Sequence, residues 1–172
     1  MHQAGHTRHF VAVILVVTLV AACAPDRKSL PEGWREFTAE DPYNQLEWRE
    51  EDPDRYLRVV ADFDGNGEVD EARLLVSNDG HQMALFVFLA RDRGHRSILL
   101  DKGPVANLGI ARVEPGEYVT AAGKGYWEPK PGEPETVSLV NPAINYFKHE
   151  SANSFFYWDE SKDAFSRVWI SD

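Results

Sequence analysis

A single cysteine, Cys23, occurs in the 172 residues. No intramolecular disulfide can form, so cohesion must come from a packed core, with or without help from a bound ion. Basic residues are also scarce: 18 Lys and Arg stand against 28 Asp and Glu, a net charge of −10. Gripping a phosphate backbone needs clustered Lys and Arg, which argues against a nucleic-acid partner. The longest apolar run, Phe10 to Ala22, is too short to span a bilayer, which needs roughly 20 apolar residues. Catalytic signatures are missing as well. There is no G-x-S-x-G around a nucleophilic serine and no H-E-x-x-H metal pair, and Gly123-Lys124-Gly125 lacks the spacing of a phosphate-binding loop.

What is present begins with that apolar run. It follows a charged start and ends in the small residues Val20-Ala21-Ala22, the pattern of a secretory signal peptide over residues 1–22. Val20-Ala21-Ala22-Cys23 resembles the bacterial lipobox. The resemblance implies cleavage before Cys23 and acylation of its thiol, so that the lipid membrane becomes a partner through Cys23. Ordinary export, with cleavage at the same bond and an idle thiol, is the plainer alternative. Ala24-Pro25 carries no acidic residue after the cysteine, and by the rule of enteric lipoproteins that implies the outer membrane, facing the periplasm. Residues 23–33 then read as lipidated cysteine and polar tether, and 34–172 as one domain. Arg8 is the one Lys or Arg removed with the leader, so the mature net charge is 17 − 28 = −11. Such a surface suits cationic partners or divalent ions.

Gly33 to Asp54 is acid-rich but studded with Trp34, Phe37, Tyr43, Leu46 and Trp48, more aromatic than a disordered segment would be. It reads as an irregular lead-in or a short helix, interrupted by Pro42 and Pro53. From Tyr56 onward, short apolar runs alternate with turn signals such as Asn78-Asp79-Gly80 and Pro115-Gly116. Nine runs are expected as strands: 56–63, 72–77, 84–90, 97–101, 108–113, 118–122, 136–140, 154–158 and 166–170. The fold class that follows is mainly β, a single antiparallel β-rich domain, a meander of about nine short strands with little helix. Leu85 to Leu89 is apolar at every position and reads as a central, covered strand. Phe155-Phe156-Tyr157-Trp158 and Val168-Trp169-Ile170 should form a C-terminal hairpin. Asn141 to Glu150 reads as a short helix or turn, capped by Asn141 with Pro142 at its first position.

One segment carries recognisable chemistry. In Asp62-Phe63-Asp64-Gly65-Asn66-Gly67-Glu68-Val69-Asp70, Asp62, Asp64, Asn66 and Asp70 fall at positions 1, 3, 5 and 9 of a loop, with Gly67 at the sharp turn. Alternate side chains of a tight loop can converge on one point. A hard cation such as Ca²⁺ takes six to eight oxygens at about 2.3–2.6 Å. Three carboxylates, the Asn66 amide and the Glu68 carbonyl offer five, and water or a remote group must supply the rest. An EF-hand is a poor match, because Arg73 stands where its bidentate Glu belongs and the flanks look like strands. The stretch more closely resembles the loops of FG-GAP and VCBS-type repeats, in which a strand enters D-x-D-G-D/N-G-x-x-D and a second strand leaves. That resemblance covers about 20 residues and implies a structural Ca²⁺ in a hairpin. A metal-free hairpin is the alternative, since Asp64-Gly65 and Asn66-Gly67 are strong turn pairs. The whole chain also resembles proteobacterial lipoproteins with one such loop and an aromatic C-terminal hairpin, which implies architecture and no activity.

Other signals are weaker. His81, His95 and His149 read as solvated polar residues, and Glu50-Glu51 as part of an acidic face. The Gly/Pro-rich loop with Lys124, Tyr126 and Trp127 is the best candidate contact surface, the remaining tryptophans being expected in the core. The leading expectation is a non-catalytic envelope lipoprotein that binds an unknown protein or envelope partner or supports the envelope. An inhibitor or immunity lipoprotein against a cationic toxin or lysozyme-like enzyme is one alternative. A glycan hydrolase with a cleft holding two perturbed carboxyls is the other. Replacing the thiol tests the anchor: the full chain carrying Cys23→Ser should incorporate no labelled fatty acid and leave the membrane fraction, and persistent sedimentation with membranes would refute lipidation.

Overall fold

The computed structural model describes residues 29–41, 43, 47–49 and 55–171. The leader, Cys23, Pro42, Leu46, Glu50, Glu51 and Pro53 lie outside the described residues. Eleven strands and one 3₁₀ turn, Glu47–Arg49, make up the regular structure among them. The strands are β1 (Trp34–Arg35), β2 (Arg58–Ala61), β3 (Asp70–Ser77), β4 (Gln82–Ala90), β5 (His95–Pro104), β6 (Leu108–Val113), β7 (Gly116–Val119), β8 (Thr136–Leu139), β9 (Ala143–Lys148), β10 (Asn153–Asp159) and β11 (Ala164–Ser171).

All pairings are antiparallel, as the sequence led us to expect of a mainly β domain. The first sheet runs β1-β3-β4-β5, with β2 also on β3; the second runs β11-β10-β9-β6; β7 and β8 form a separate ribbon. Strand β4 lies inside its sheet, and its residues Met83 to Leu89 are all buried. Met83, Leu85, Val87 and Leu89 point inward with Ala72, Leu74 and Val76 of β3, and meet Ile110, Ile144, Tyr146 and Phe156 of the second sheet. Ala84, Phe86 and Phe88 point the other way and cluster with Leu75, against which Leu30 and Trp34 pack. Trp34 meets Phe86 edge-on at 5.5 Å, so the lead-in covers part of the outer face. The second sheet is also covered twice: its far side packs Val113, Ala143, Phe155, Val168 and Ile170 against Val137, Leu139 and Tyr118 of the ribbon.

The topology is not a simple meander. β6 pairs with β9, not β7. The turn at Pro115-Gly116 carries the chain out of the second sheet, and the β7–β8 ribbon is inserted before β9 returns beside β6. The expected helix or turn over 141–150 is a strand. Ala143, Ile144 and Tyr146 are buried, and β9 is flanked on both sides by β10 and β6. Pro142 precedes the strand, where its lack of an N–H costs no ladder bond. Ile, Tyr and Phe favour a pleated, covered surface, and that decides against the local capping signal. The C-terminal hairpin forms as expected, with Trp158 opposite Phe165.

The acid-rich lead-in is tied down by two arginines. Arg49 is fully buried, stacked 4.2 Å over the Tyr43 ring and 4.5 Å over Trp48, and donates to the Tyr43 hydroxyl at 2.7 Å and the Leu108 carbonyl at 3.3 Å. Burial pushes the Tyr43 hydroxyl up to about 12. His149 stacks on Trp48 at 4.6 Å, so it is half-buried and packed, contrary to the expectation of a solvated polar residue. Arg35 grips Asp41 with two 2.8 Å bonds, and the Thr38 N–H adds a third at 2.7 Å.

The Arg35 fork, followed by the Thr38 donors, holds the Asp41 carboxyl well below the usual range. A depressed carboxyl contributes stability that is present above its unfolded value, near pH 4, and is lost as pH falls through the folded value. The Arg35 side chain is 36% exposed, so water screens the pair. Asp41→Asn should therefore lower stability by about 0.5–1 kcal/mol at pH 7. In denaturant melts the gap between variant and wild type should narrow steadily below pH 4; a gap constant with pH would mean the charge contributes nothing.

Candidate functional site

The loop from Asp62 to Val69 joins β2 to β3, so strands flank it on both sides. Alternation along β3 places Asp70 on the inner face with Ala72 and Leu74, where it is fully buried. A lone buried carboxylate is expensive unless its oxygens find donors. Both do: Oδ2 accepts from the Phe63 N–H at 2.8 Å and Oδ1 from the Ala90 N–H at 2.7 Å. Burial raises the Asp70 pKa, and these two bonds oppose the rise. Asp70 thus pins the root of the loop to the end of β4.

Asp62 curls over its own loop. Its two oxygens accept from the Asn66 N–H at 3.1 Å and the Gly67 N–H at 2.9 Å. Gly67 has a φ of +85° with open space around it, the left-handed conformation that its position in the pattern required. The Asn66 amide oxygen accepts from the Glu68 N–H at 2.6 Å, while its nitrogen donates to the Ala90 carbonyl at 3.3 Å. Glu68 is exposed and lines a shallow depression with Asp64, Asn66 and Arg91.

Carboxylate oxygens of Asp62, Asp64 and Asp70 all lie within 4.8 Å of one another. This is the arrangement expected of a loop that could hold a cation, and it is also one that acidic turns adopt without one. Asn66 and Glu68 share the loop, but their side chains are spent on the turn or face solvent. Two neighbours were not foreseen. Arg91, at the end of β4, donates to Asp64 Oδ2 at 2.7 Å and to the Ala90 carbonyl at 2.6 Å. Asn141 lies over Gly65: a Cβ built there would meet its amide nitrogen at 2.7 Å and oxygen at 3.0 Å. Both sit far from the loop in sequence, so only strand pairing brings them in. The sequence pattern of a helix cap at Asn141 is not realised; its side-chain amide instead packs against Gly65 of the loop.

The second candidate surface is more committed than its sequence suggested. Lys124 Nζ donates to the Ile170 carbonyl at 2.8 Å, and Trp127 Nε1 to Glu133 Oε2 at 3.0 Å. A Cβ at Gly123 would lie 2.1 Å from the Glu135 carbonyl, so two backbones touch there. Of the three candidate contact residues, Lys124 and Tyr126 are exposed, Tyr126 to 54%, and Trp127 is half-buried. No family model, no curated protein and no solved structure matches the chain.

Gly65 offers a direct probe of the loop's crowding. Its φ is +73°, and Asn141 sits where a side chain would go. Gly65→Ala should cost about 1–2 kcal/mol from the backbone alone. Asn141→Ala in the same chain should return only the portion due to the clash. Urea unfolding of the single and double variants measures both portions; Gly65→Ala melting like wild type would show that the loop is looser than its contacts.

Proposed function

We propose that this protein is a non-catalytic envelope lipoprotein, anchored to the outer membrane through acylated Cys23. Its β-domain uses the Asp62–Asp70 loop as a structural Ca²⁺ site. The convergence of Asp62, Asp64 and Asp70 carboxylates within 4.8 Å at the root of a β-hairpin is the observation that carries the cation. Three ionised carboxylates so close repel one another, and a bound cation would relieve that repulsion. Arg91 places a positive charge beside this group through its bond to Asp64. A bound Ca²⁺ would take Asp62, Asp64 and Asp70 as carboxylate ligands, with the Asn66 amide and the Glu68 carbonyl as further oxygens. It would compete with Arg91 for Asp64.

The non-catalytic reading draws on how the acids of one well-formed cleft are used. That cleft, about 610 Å³, lies beside β2 and β3. Its Glu36 accepts from Arg73 at 2.6 Å, and the buried Glu71 behind it pairs with Arg58 and Arg73. Burial opposes the ionisation of Glu71, but the two arginines outweigh it and hold the carboxyl below its usual value. A glycosidase needs one carboxyl kept protonated as the acid, the opposite of this arrangement.

A calcium titration of the melting temperature, against chelator, tests the site. A ligand bound only by the folded state stabilises it by about 2.7 kcal/mol at a hundredfold excess over Kd. Wild type should gain several degrees, and Asp64→Asn should lose most of that gain. Arg91→Gln should melt lower than wild type in chelator and gain more from Ca²⁺. Equal melting of all three chains at every Ca²⁺ level would reduce the loop to a metal-free turn.

A further inference from the structure

Away from the acidic loop, at the opposite edge of the first sheet, a small groove of about 320 Å³ opens between β5 and the second sheet. Its charged lining is inverted relative to the chain as a whole: Lys102, Lys148 and Arg167 against Asp101 alone. Strand alternation puts Arg167 and Trp169 of β11 on the inner face of the second sheet, with Phe156 and Tyr146. At this edge β5 no longer covers that face, and Trp169 remains 40% exposed.

Arg167 is unusually well fixed for a surface arginine. Its guanidinium lies 4.3 Å from the Trp169 ring, 5.0 Å from Phe156 and 5.4 Å from Tyr146. Its Nε donates to Ser154 Oγ at 3.0 Å, and Ser154 is fully buried. Asp101 reaches Nη1 only at 3.4 Å, a long contact that leaves the outer edge of the fork available. Lys102 and Lys148 are exposed and have no ion-pair partner among the described residues. The larger cleft beside β2 differs in this respect, since its Arg58 and Arg73 are both held by Glu71.

We propose that this groove binds an acidic saccharide, a sugar unit bearing a carboxylate. Arg167 is the anchor, presenting a planar fork that matches a carboxylate. Lys102 and Lys148 flank it with point charges. Trp169 offers a ring for the apolar C–H face of a pyranose, and Leu108 continues the apolar floor. The volume lies at the lower end of the range for small-ligand sites, enough to seat one or two units of a short saccharide whose remaining unit projects into solvent, and not a folded partner. Rings already packed around Arg167 leave little side-chain entropy to lose on binding. A peptide could also bring a carboxylate, but it lacks the flat C–H face that an exposed indole takes up. The inference names a ligand for the binding role proposed above and rests on the groove alone. Loss of the Ca²⁺ response or of the lipid anchor would leave it standing.

The test is calorimetric titration of the full chain with trigalacturonate, with a neutral galactose trisaccharide, and with a peptide of similar size bearing a free C-terminal carboxylate. Trigalacturonate should bind and shift the indole resonance of Trp169, and the neutral sugar should bind at least about tenfold more weakly, the usual loss for a missing charged contact. Lys102→Glu with Lys148→Glu changes only exposed side chains and should weaken trigalacturonate by at least about tenfold. Arg55→Glu, in the larger cleft, should leave it unchanged. The proposal is overturned if trigalacturonate gives no binding at millimolar concentration, if neutral and acidic sugars bind alike, if only the peptide binds, or if the paired lysine reversal has no effect.

Discussion

Strand β4 sets the terms for the rest of the molecule. From Met83 to Leu89 every residue is buried, so both faces of the strand must be kept from water. One face is satisfied by a second sheet. The other needs a separate cover, and Leu30 and Trp34 contribute to it from the acid-rich lead-in. The same demand recurs on the second sheet, whose outer side is closed by the β7–β8 ribbon. With no disulfide to cross-link the chain, this double coverage is the main source of cohesion, the apolar area removed from water scaling with the layers stacked.

Packing of this kind fixes where charge can sit. Asp70 follows the inward alternation of β3 into the core and is tolerated there because two backbone N–H groups meet it. That requirement ties the Asp62–Asp70 loop to the end of β4, which in turn brings Arg91 to Asp64. The loop is therefore a corner in which Arg91 neutralises one of three closely placed carboxylates. Elsewhere Arg49 is buried between Tyr43 and Trp48, and Glu71 between Arg58 and Arg73. In an acidic chain the scarce arginines are mostly used to neutralise or anchor. The groove at Arg167 stands apart because its two lysines have no such duty.

Much of the fold was legible in the sequence because β-strands announce themselves locally. Period-two alternation, aromatic and branched residues, and Asn-Asp-Gly turns located most strands, the covered character of β4 and the C-terminal hairpin. The errors share one cause. Asn141-Pro142 looked like a helix start, yet Ala143 to Lys148 became an interior strand, because the vacancy between β6 and β10 had to be filled by a residue run with buried Ala, Ile and Tyr. The nine-strand meander failed at Pro115-Gly116 for a similar reason: a turn signal tells that the chain reverses, not which sheet it joins. His149 was read as solvated because nothing in its neighbours foretold that Trp48, a hundred positions earlier, would stack on it.

By itself, the sequence determined the fold class, the acidic balance, the absence of any disulfide, and the spacing that gathers Asp62, Asp64 and Asp70 in one loop. These are local or compositional properties, carried by side-chain period and turn chemistry. Only the tertiary structure decided which strands are neighbours, and through them which distant residues share a site. Arg91 at the acidic loop, Asn141 over Gly65, and Lys102, Lys148 and Arg167 around one groove are contacts between segments far apart in the chain. No local pattern encodes them, because they arise from the joint requirement that apolar faces be covered and that buried charge, such as that of Asp70, find partners.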